Sequence, residues 1–238
     1  MLKVASYNIR KCVGLDWRRD PLRVATVLGE LNADVVTLQE ADRRLGTRRG
    51  TLQEAKLAEA GLRFAELPDS GGSHGWHGNA ILVSDAVEVR SLKRVTLPFL
   101  EPRGALMAEL AVRGHSFRVI GAHLGLRPIN RIAQARAILE ALDAEDDDAY
   151  EVVMGDFNEW RTRRGCAEIL SRRLRQAPTR ASFHASRPVA RLDRIFASTA
   201  LRFRRCGVHR SALARDASDH LPIWAELAPR RRKKEPPR

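Results

Sequence analysis

The chain is short of several things that would narrow its class at once. Its three cysteines, Cys12, Cys166 and Cys206, are widely spaced, and none forms a Cys-x-x-Cys pair. The pattern suggests neither a thiolate zinc site nor a disulfide framework, and it fits a reducing compartment. Aromatic residues make up only 5%, which limits platforms for base stacking. No apolar run approaches the roughly 18 residues of a membrane span. Met1 to Arg10 alternates and carries Lys3 and Asn8, unlike the apolar middle of a secretory leader. The expectation is a soluble, cytoplasmic protein. Internal repeats and Gly/Ser linkers are also missing. The 238 residues therefore read as one domain over 1–228 and a basic, disordered tail over 229–238.

Lysine is scarce as well: of 42 basic residues, 36 are arginine. A GC-rich genome yields that bias without functional pressure, but it does not create an excess over acids. The formal charge is +13, and the segment from Arg230 to Arg238 supplies six basic residues and one acid. Such a balance favours polyanionic partners, either nucleic acid or an anionic membrane surface.

What is present is a long alternation of strand-like and helix-like segments. Residues 2–8 alternate as a strand. Asp20-Pro21 opens a helix reaching about Asn32, with Asp as cap and Pro in the first turn. Residues 34–40 form a short apolar strand ending in a carboxylate, and 51–60 read as a second helix. Residues 69–78 hold four glycines and read as a loop. Strands follow at 79–84, 87–95, 104–112 and 116–123. An amphipathic helix spans 129–144, with Ile132, Ala135, Ile138, Leu139 and Leu142 on one side. A strand at 151–155, a helix at 163–173 and strands at 191–197, 202–209 and 223–227 complete the chain. This is an α/β domain. Two packed sheets with helices outside would cover its half-buried strands, although periodicity does not choose between that and one open sheet.

Short polar clusters sit at the predicted strand ends: Ser6-Tyr7-Asn8, Gln39-Glu40, Gly121-Ala122-His123, Gly155-Asp156-Phe157-Asn158, Arg191-Leu192-Asp193 and Ser218-Asp219-His220. Strand ends and the loops after them are where rigid scaffolds carry active sites. These clusters offer hard oxygen donors and imidazoles, the groups a metal-assisted phosphoryl hydrolysis needs. Magnesium takes one or two carboxylates plus water and substrate phosphate. Glu40 is the first candidate ligand, with Asn8, Asp156, Asn158 and Asp219 as the others. A histidine backed by an aspartate can deprotonate water near neutral pH, which nominates His220 with Asp193 behind it. His123 would then stabilise or protonate the phosphoryl or leaving oxygen. Singly, each motif has an ordinary explanation: a chance Gln-Glu, an Asx turn, a core histidine, a capped strand entry. Their force lies in occurring together, in order, at strand ends.

With these residues in hand, the chain resembles the endonuclease/exonuclease/phosphatase superfamily from Val4 to about Leu227. The most specific pieces are Gly-Asp-Phe-Asn at 155–158 and Ser-Asp-His-Leu-Pro at 218–222. The resemblance implies a four-layer α/β/β/α sandwich of two packed mixed sheets. It implies metal ligation by Asn8, Glu40 and Asp219, with magnesium as the ion and manganese as the alternative. It assigns catalytic roles to His123, Asp156, Asn158, Asp193 and His220. Asn158 and Arg103, the latter in Glu101-Pro102-Arg103-Gly104, would contact the phosphate; a surface salt bridge is the plainer reading of Arg103. His77 lies in a loop that varies among members.

The implied activity is metal-dependent hydrolysis of phosphodiester bonds in a phosphoester substrate. Charge and tail favour nucleic acid, while a phospholipid or inositol-phosphate headgroup is the alternative. A non-catalytic binding module would be expected to have lost at least one of these groups, and all are present. Nothing in the sequence sets the oligomeric state.

Overall fold

A computed structural model of the chain describes residues 1–42, 50–67, 73–98, 103–145, 147–161 and 164–230. Most of the predicted tail, Glu101, Pro102 and part of the glycine-rich loop lie outside the described residues.

Two sheets of six strands each form the centre. In chain order the strands are β1 (Leu2–Asn8), β2 (Val35–Gln39), β3 (Leu62–Phe64), β4 (Ala80–Ser84), β5 (Val87–Thr96), β6 (Gly104–Val112), β7 (His115–His123), β8 (Tyr150–Asp156), β9 (Leu174–Gln176), β10 (Asp193–Ser198), β11 (Leu201–Val208) and β12 (Ile223–Pro229). The helices are α1 (Pro21–Leu31), α2 (Glu54–Glu59), α3 (Pro128–Asp143), α4 (Cys166–Ser171) and α5 (Ala212–Ala217). The first sheet runs β11-β12-β1-β2-β4-β3, and the second runs β5-β6-β7-β8-β10-β9. Only β1–β2 and β7–β8 pair in parallel; the other pairings are antiparallel.

The period of two in each strand builds three apolar layers. Leu2, Val4, Val35, Ile81, Leu106, Val119, Val152, Met154 and Ile195 meet between the sheets. The outer face of the first sheet, through Tyr7, Val36, Leu38 and Leu82, is covered by Val24, Leu28 and Leu31 of α1 and Leu57 of α2. The outer face of the second, through Ile120, Val153 and Phe196, is covered by Ile138 and Leu142 of α3 and Leu170 of α4. The result is the α/β/β/α sandwich. The Asp20 carboxylate accepts from Arg23 N at 3.0 Å, with Pro21 in the first turn, as the sequence predicts for α1.

Some boundaries differ. The helix expected from Thr51 begins at Glu54, and the one expected over 163–173 is only Cys166–Ser171. β3, β9 and α5 were not anticipated.

Candidate active site

The inner layer changes character along its strands. β1 faces inward with Leu2, Val4, Ser6 and Asn8 in succession, β2 with Val35, Thr37 and Gln39, and β8 with Val152, Met154 and Asp156. The last residues of β1, β2, β7 and β8, with the first of β10, therefore make a polar end to an apolar layer. Gly121 lets the sheets close beneath it, because a Cβ there would sit 2.7 Å from Thr37 Cγ2. Gly155 has φ +154, and a Cβ would collide with Ala122 O at 1.8 Å. Only glycine fits where β7 and β8 deliver His123 and Asp156 side by side.

Asp156 lies at the hub. Its Oδ2 accepts from Asn8 Nδ2 at 2.9 Å, and it lies 3.5 Å from His123 Nε2 and 3.7 Å from His220 Nε2. Its Oδ1 accepts from Asn158 N at 2.9 Å. Asn158 adopts φ +50, and its Nδ2 donates to Leu124 O at 2.9 Å. His220 Nδ1 lies 2.9 Å from Asp193 Oδ2, which also accepts from the Ser182 hydroxyl. The Arg103 guanidinium comes within 2.7 Å of His123 Nε2. Glu40, at φ +53 just beyond β2, pairs with the Lys11 ammonium. Asp219 Oδ2 lies 3.7 Å from Arg10 Nε. The terminal motif is pinned to β1 by Ser218, whose hydroxyl donates to Asn8 O at 2.7 Å.

The two histidines sit in opposite electrostatic settings. Burial is the largest influence on His123, and with Arg103, His220 and Lys11 nearby it outweighs the attraction of Asp156, lowering the pKa to about 3. Burial also pushes His220 down, but the Asp193 and Asp156 carboxylates and the Asp193 hydrogen bond overcome it and raise the pKa to about 10. At neutral pH His123 is imidazole and His220 is imidazolium.

All the residues nominated by sequence thus gather at one end of the sandwich, Arg103 included. Among the described residues, Asp156, Asp193 and His220 bring three potential ligand atoms within 4.8 Å of one another. Within that trio the groups already pair with one another, His220 Nδ1 with Asp193 Oδ2 and His220 Nε2 facing Asp156 Oδ2, while Asp193 Oδ1 is buried without a hydrogen-bond partner. Glu40 suits a cation better: it is an oxygen donor against which the chain already places a positive charge, Lys11. Asn8, Glu40 and Asp219 are hard donors of the kind a magnesium-class ion takes, so the residues present fit such an ion.

Sequence reading missed several supports. Lys11 lies in a turn over Arg10–Cys12 in which all three residues have positive φ: +45, +57 and +60. Its sequence signal was closeness to Asn8. Ser182 had none. The buried Arg194 donates from Nη2 to Glu159 O at 2.8 Å and Arg161 O at 2.7 Å, while Arg131 Nη2 lies 3.4 Å from Glu159 Oε1. Together they fix the segment after Asn158.

A sequence model of the Endonuclease/Exonuclease/phosphatase family matches residues 5–220. The uncharacterized protein YbhP of Escherichia coli K12 is 33% identical over 170 residues, 64% of this chain and 63% of its own length. The matched stretch thus spans less than two thirds of that relative. Among solved structures, a mannosyl-6-phosphatase of Bacteroides thetaiotaomicron superposes with a TM-score of 0.76 at 19% identity, covering 96% of this chain and 100% of its own. D. rerio TDP2 complexed with a single-strand DNA product gives a TM-score of 0.72 at 19% identity, covering 95% and 98%. At these identities the structural likeness is one of fold.

Proposed function

This chain belongs to the endonuclease/exonuclease/phosphatase family, and from that premise we propose that it is a divalent-cation-dependent hydrolase of phosphoester bonds, with the phosphodiester as its first substrate class. The observation that carries the reading is the hub: one carboxylate oxygen of Asp156 facing both His123 and His220, the latter backed by Asp193.

Asp156 and His220 orient the attacking water. With His220 protonated at rest its imidazolium donates to a phosphoryl oxygen, and the Asp156 carboxyl group beside it is placed to accept the proton from water. Arg103 and the side-chain amide of Asn158 bind the remaining phosphoryl oxygens, while neutral His123 holds the geometry between Arg103 and Asp156. Glu40, with Asn8 and Asp219, would hold a magnesium-class ion, which when bound would polarise the phosphoryl group and stabilise the leaving oxyanion.

The sequence supports nucleic acid as substrate through its charge of +13. A sugar phosphate and single-stranded DNA are the ligand classes that the names of two structural neighbours suggest. A panel of plasmid DNA, RNA, bis-nitrophenyl phosphate and phosphoinositides, each with magnesium or chelator, tests the reading. Turnover that requires magnesium and vanishes in His220→Ala is expected. Turnover of every substrate at the parent's rate in that variant would remove the hub from the chemistry.

A further inference from the structure

Among the described residues, seven large hydrophobic side chains are exposed, and five of them, Trp17, Leu126, Ile129, Trp160 and Val189, lie on loops or, for Ile129, in the first turn of α3, near the catalytic end. Side-chain and backbone contacts tie these segments to the site. Trp17 lies under the Arg10 guanidinium, 4.5 Å from its ring centre, and Arg10 faces Asp219. Leu126 and Ile129 follow His123 by three and six positions, and Arg131 joins Leu126 O to Glu159, next to Trp160. The Trp160 ring lies 6.2 Å from Phe183, which packs 4.8 Å from His220. Val189 N donates to Phe183 O at 2.8 Å.

Each of these five also has an exposed arginine within two positions in sequence: Arg18 for Trp17, Arg127 for Leu126 and Ile129, Arg161 for Trp160, and Arg187 and Arg191 for Val189. Two of these segments, one of them the entry to α3, repeat one pattern. Leu126-Arg127-Pro128-Ile129 and Ser186-Arg187-Pro188-Val189 each place an arginine and an aliphatic residue on either side of a proline. Proline limits the backbone freedom to be lost on docking. No burial on the protein's own surface repays the exposure of Ile129 at 71% and Val189 at 72%.

From this arrangement we propose that the mouth of the active site docks onto an anionic lipid surface, the aliphatic and tryptophan side chains entering the headgroup boundary and the arginines meeting lipid phosphates. Tryptophan and arginine suit that boundary, and aliphatic side chains gain by leaving water for it. Nucleic acid fits less well, because leucine, isoleucine and valine offer no ring face for a base. The proposal rests on the phosphoesterase reading only for its consequence, that the ester cut belongs to a lipid headgroup. The docking stands on the surface alone.

The test is co-sedimentation of the full chain with vesicles of phosphatidylcholine, with and without phosphatidylglycerol, at physiological ionic strength. Binding is expected to the anionic vesicles. Ile129→Ser with Val189→Ser should weaken it at least about tenfold, and Arg187→Gln about fivefold. Both variants should melt as the parent does, since the side chains are exposed. Three results would overturn the proposal: equal binding by the double variant, binding to single-stranded or duplex DNA without binding to vesicles, or a self-associated dimer that the double variant dissolves. Glu40→Gln separates the two readings. It should abolish hydrolysis and keep vesicle binding, so loss of docking and loss of catalysis are told apart.

Discussion

At one end of the layer between the sheets, β1 contributes Leu2 and Val4 and β8 contributes Val152 and Met154; at the other, the same two strands contribute Asn8 and Asp156. Both ends are paired strand, and the backbone departs from regularity at the polar one, at Gly155 and at Glu40 and Asn158 just beyond the strands. The difference is in what the buried side chains gain. The apolar end gains by leaving water, whereas the polar end holds Asp156, Asp193, His123 and His220 out of water, where only mutual pairing keeps the cost bearable. The stable end should therefore be dispensable for chemistry, while the reactive end, whose pairings only offset the cost of burial, should add little net stability.

Asp156→Asn against Met154→Ala is the sharpest way to break that comparison. The two residues share one face of one strand. Asp156→Asn should lower kcat by about 10³-fold and, as an isostere that leaves His220 its Asp193 partner, cost less stability than the cavity in Met154→Ala. Met154→Ala should cost about 2–5 kcal/mol with kcat/KM within a few-fold. A collapsed Asp156→Asn, or an inactive but fully stable Met154→Ala, would erase the distinction. At the border between the ends, Gly121→Ala drives a Cβ against Thr37 Cγ2. It should cost about 1–3 kcal/mol, part of it recovered by Thr37→Ser, which removes that methyl while keeping the hydroxyl.

The apolar end was the easier to read from sequence, for the same reason. Alternation over β6 or β7 and the Asp20-Pro21 opening of α1 are local signals, and both appear in the structure. β3 and β9, at three residues each, are too short to show a period, and the alanines of α5 draw no stripe. At the polar end, side chains in clusters at strand ends could be nominated. Lys11, Ser182 and the Arg131–Glu159–Arg194 group could not, because their partners lie far along the chain.

The histidines carry the comparison into pH. His123 has its folded pKa lowered to about 3 from an ordinary 6.5, so its contribution to stability is present above 6.5 and lost as pH falls towards 3. His220 has its folded pKa raised to about 10, so its contribution is present below 6.5 and lost as pH rises towards 10. With chelator present, melting temperature should peak near neutrality. His123→Gln should flatten the acid limb and His220→Gln the alkaline limb, each by about 4 °C or more. Unchanged limbs would mean that neither group is perturbed as its surroundings dictate.

The smallest expected effect concerns Lys11. Three successive residues in the left-handed region, Arg10, Lys11 and Cys12, each cost about 1–2 kcal/mol outside glycine. The turn is held by Lys11 N donating to Glu40 O at 2.9 Å and Cys12 N to Ile9 O at 2.7 Å, and its effect is to bring the ammonium onto the Glu40 carboxylate. That ammonium and a divalent ion are then rival counterions for one carboxylate. Lys11→Met should lower the magnesium concentration for half-maximal activity by about three- to tenfold, equivalent to about 1 kcal/mol. It should also raise KM if the displaced ammonium turns to substrate phosphate. The reverse shift, a higher magnesium requirement, would mean that Lys11 organises the Glu40 site rather than competing for it.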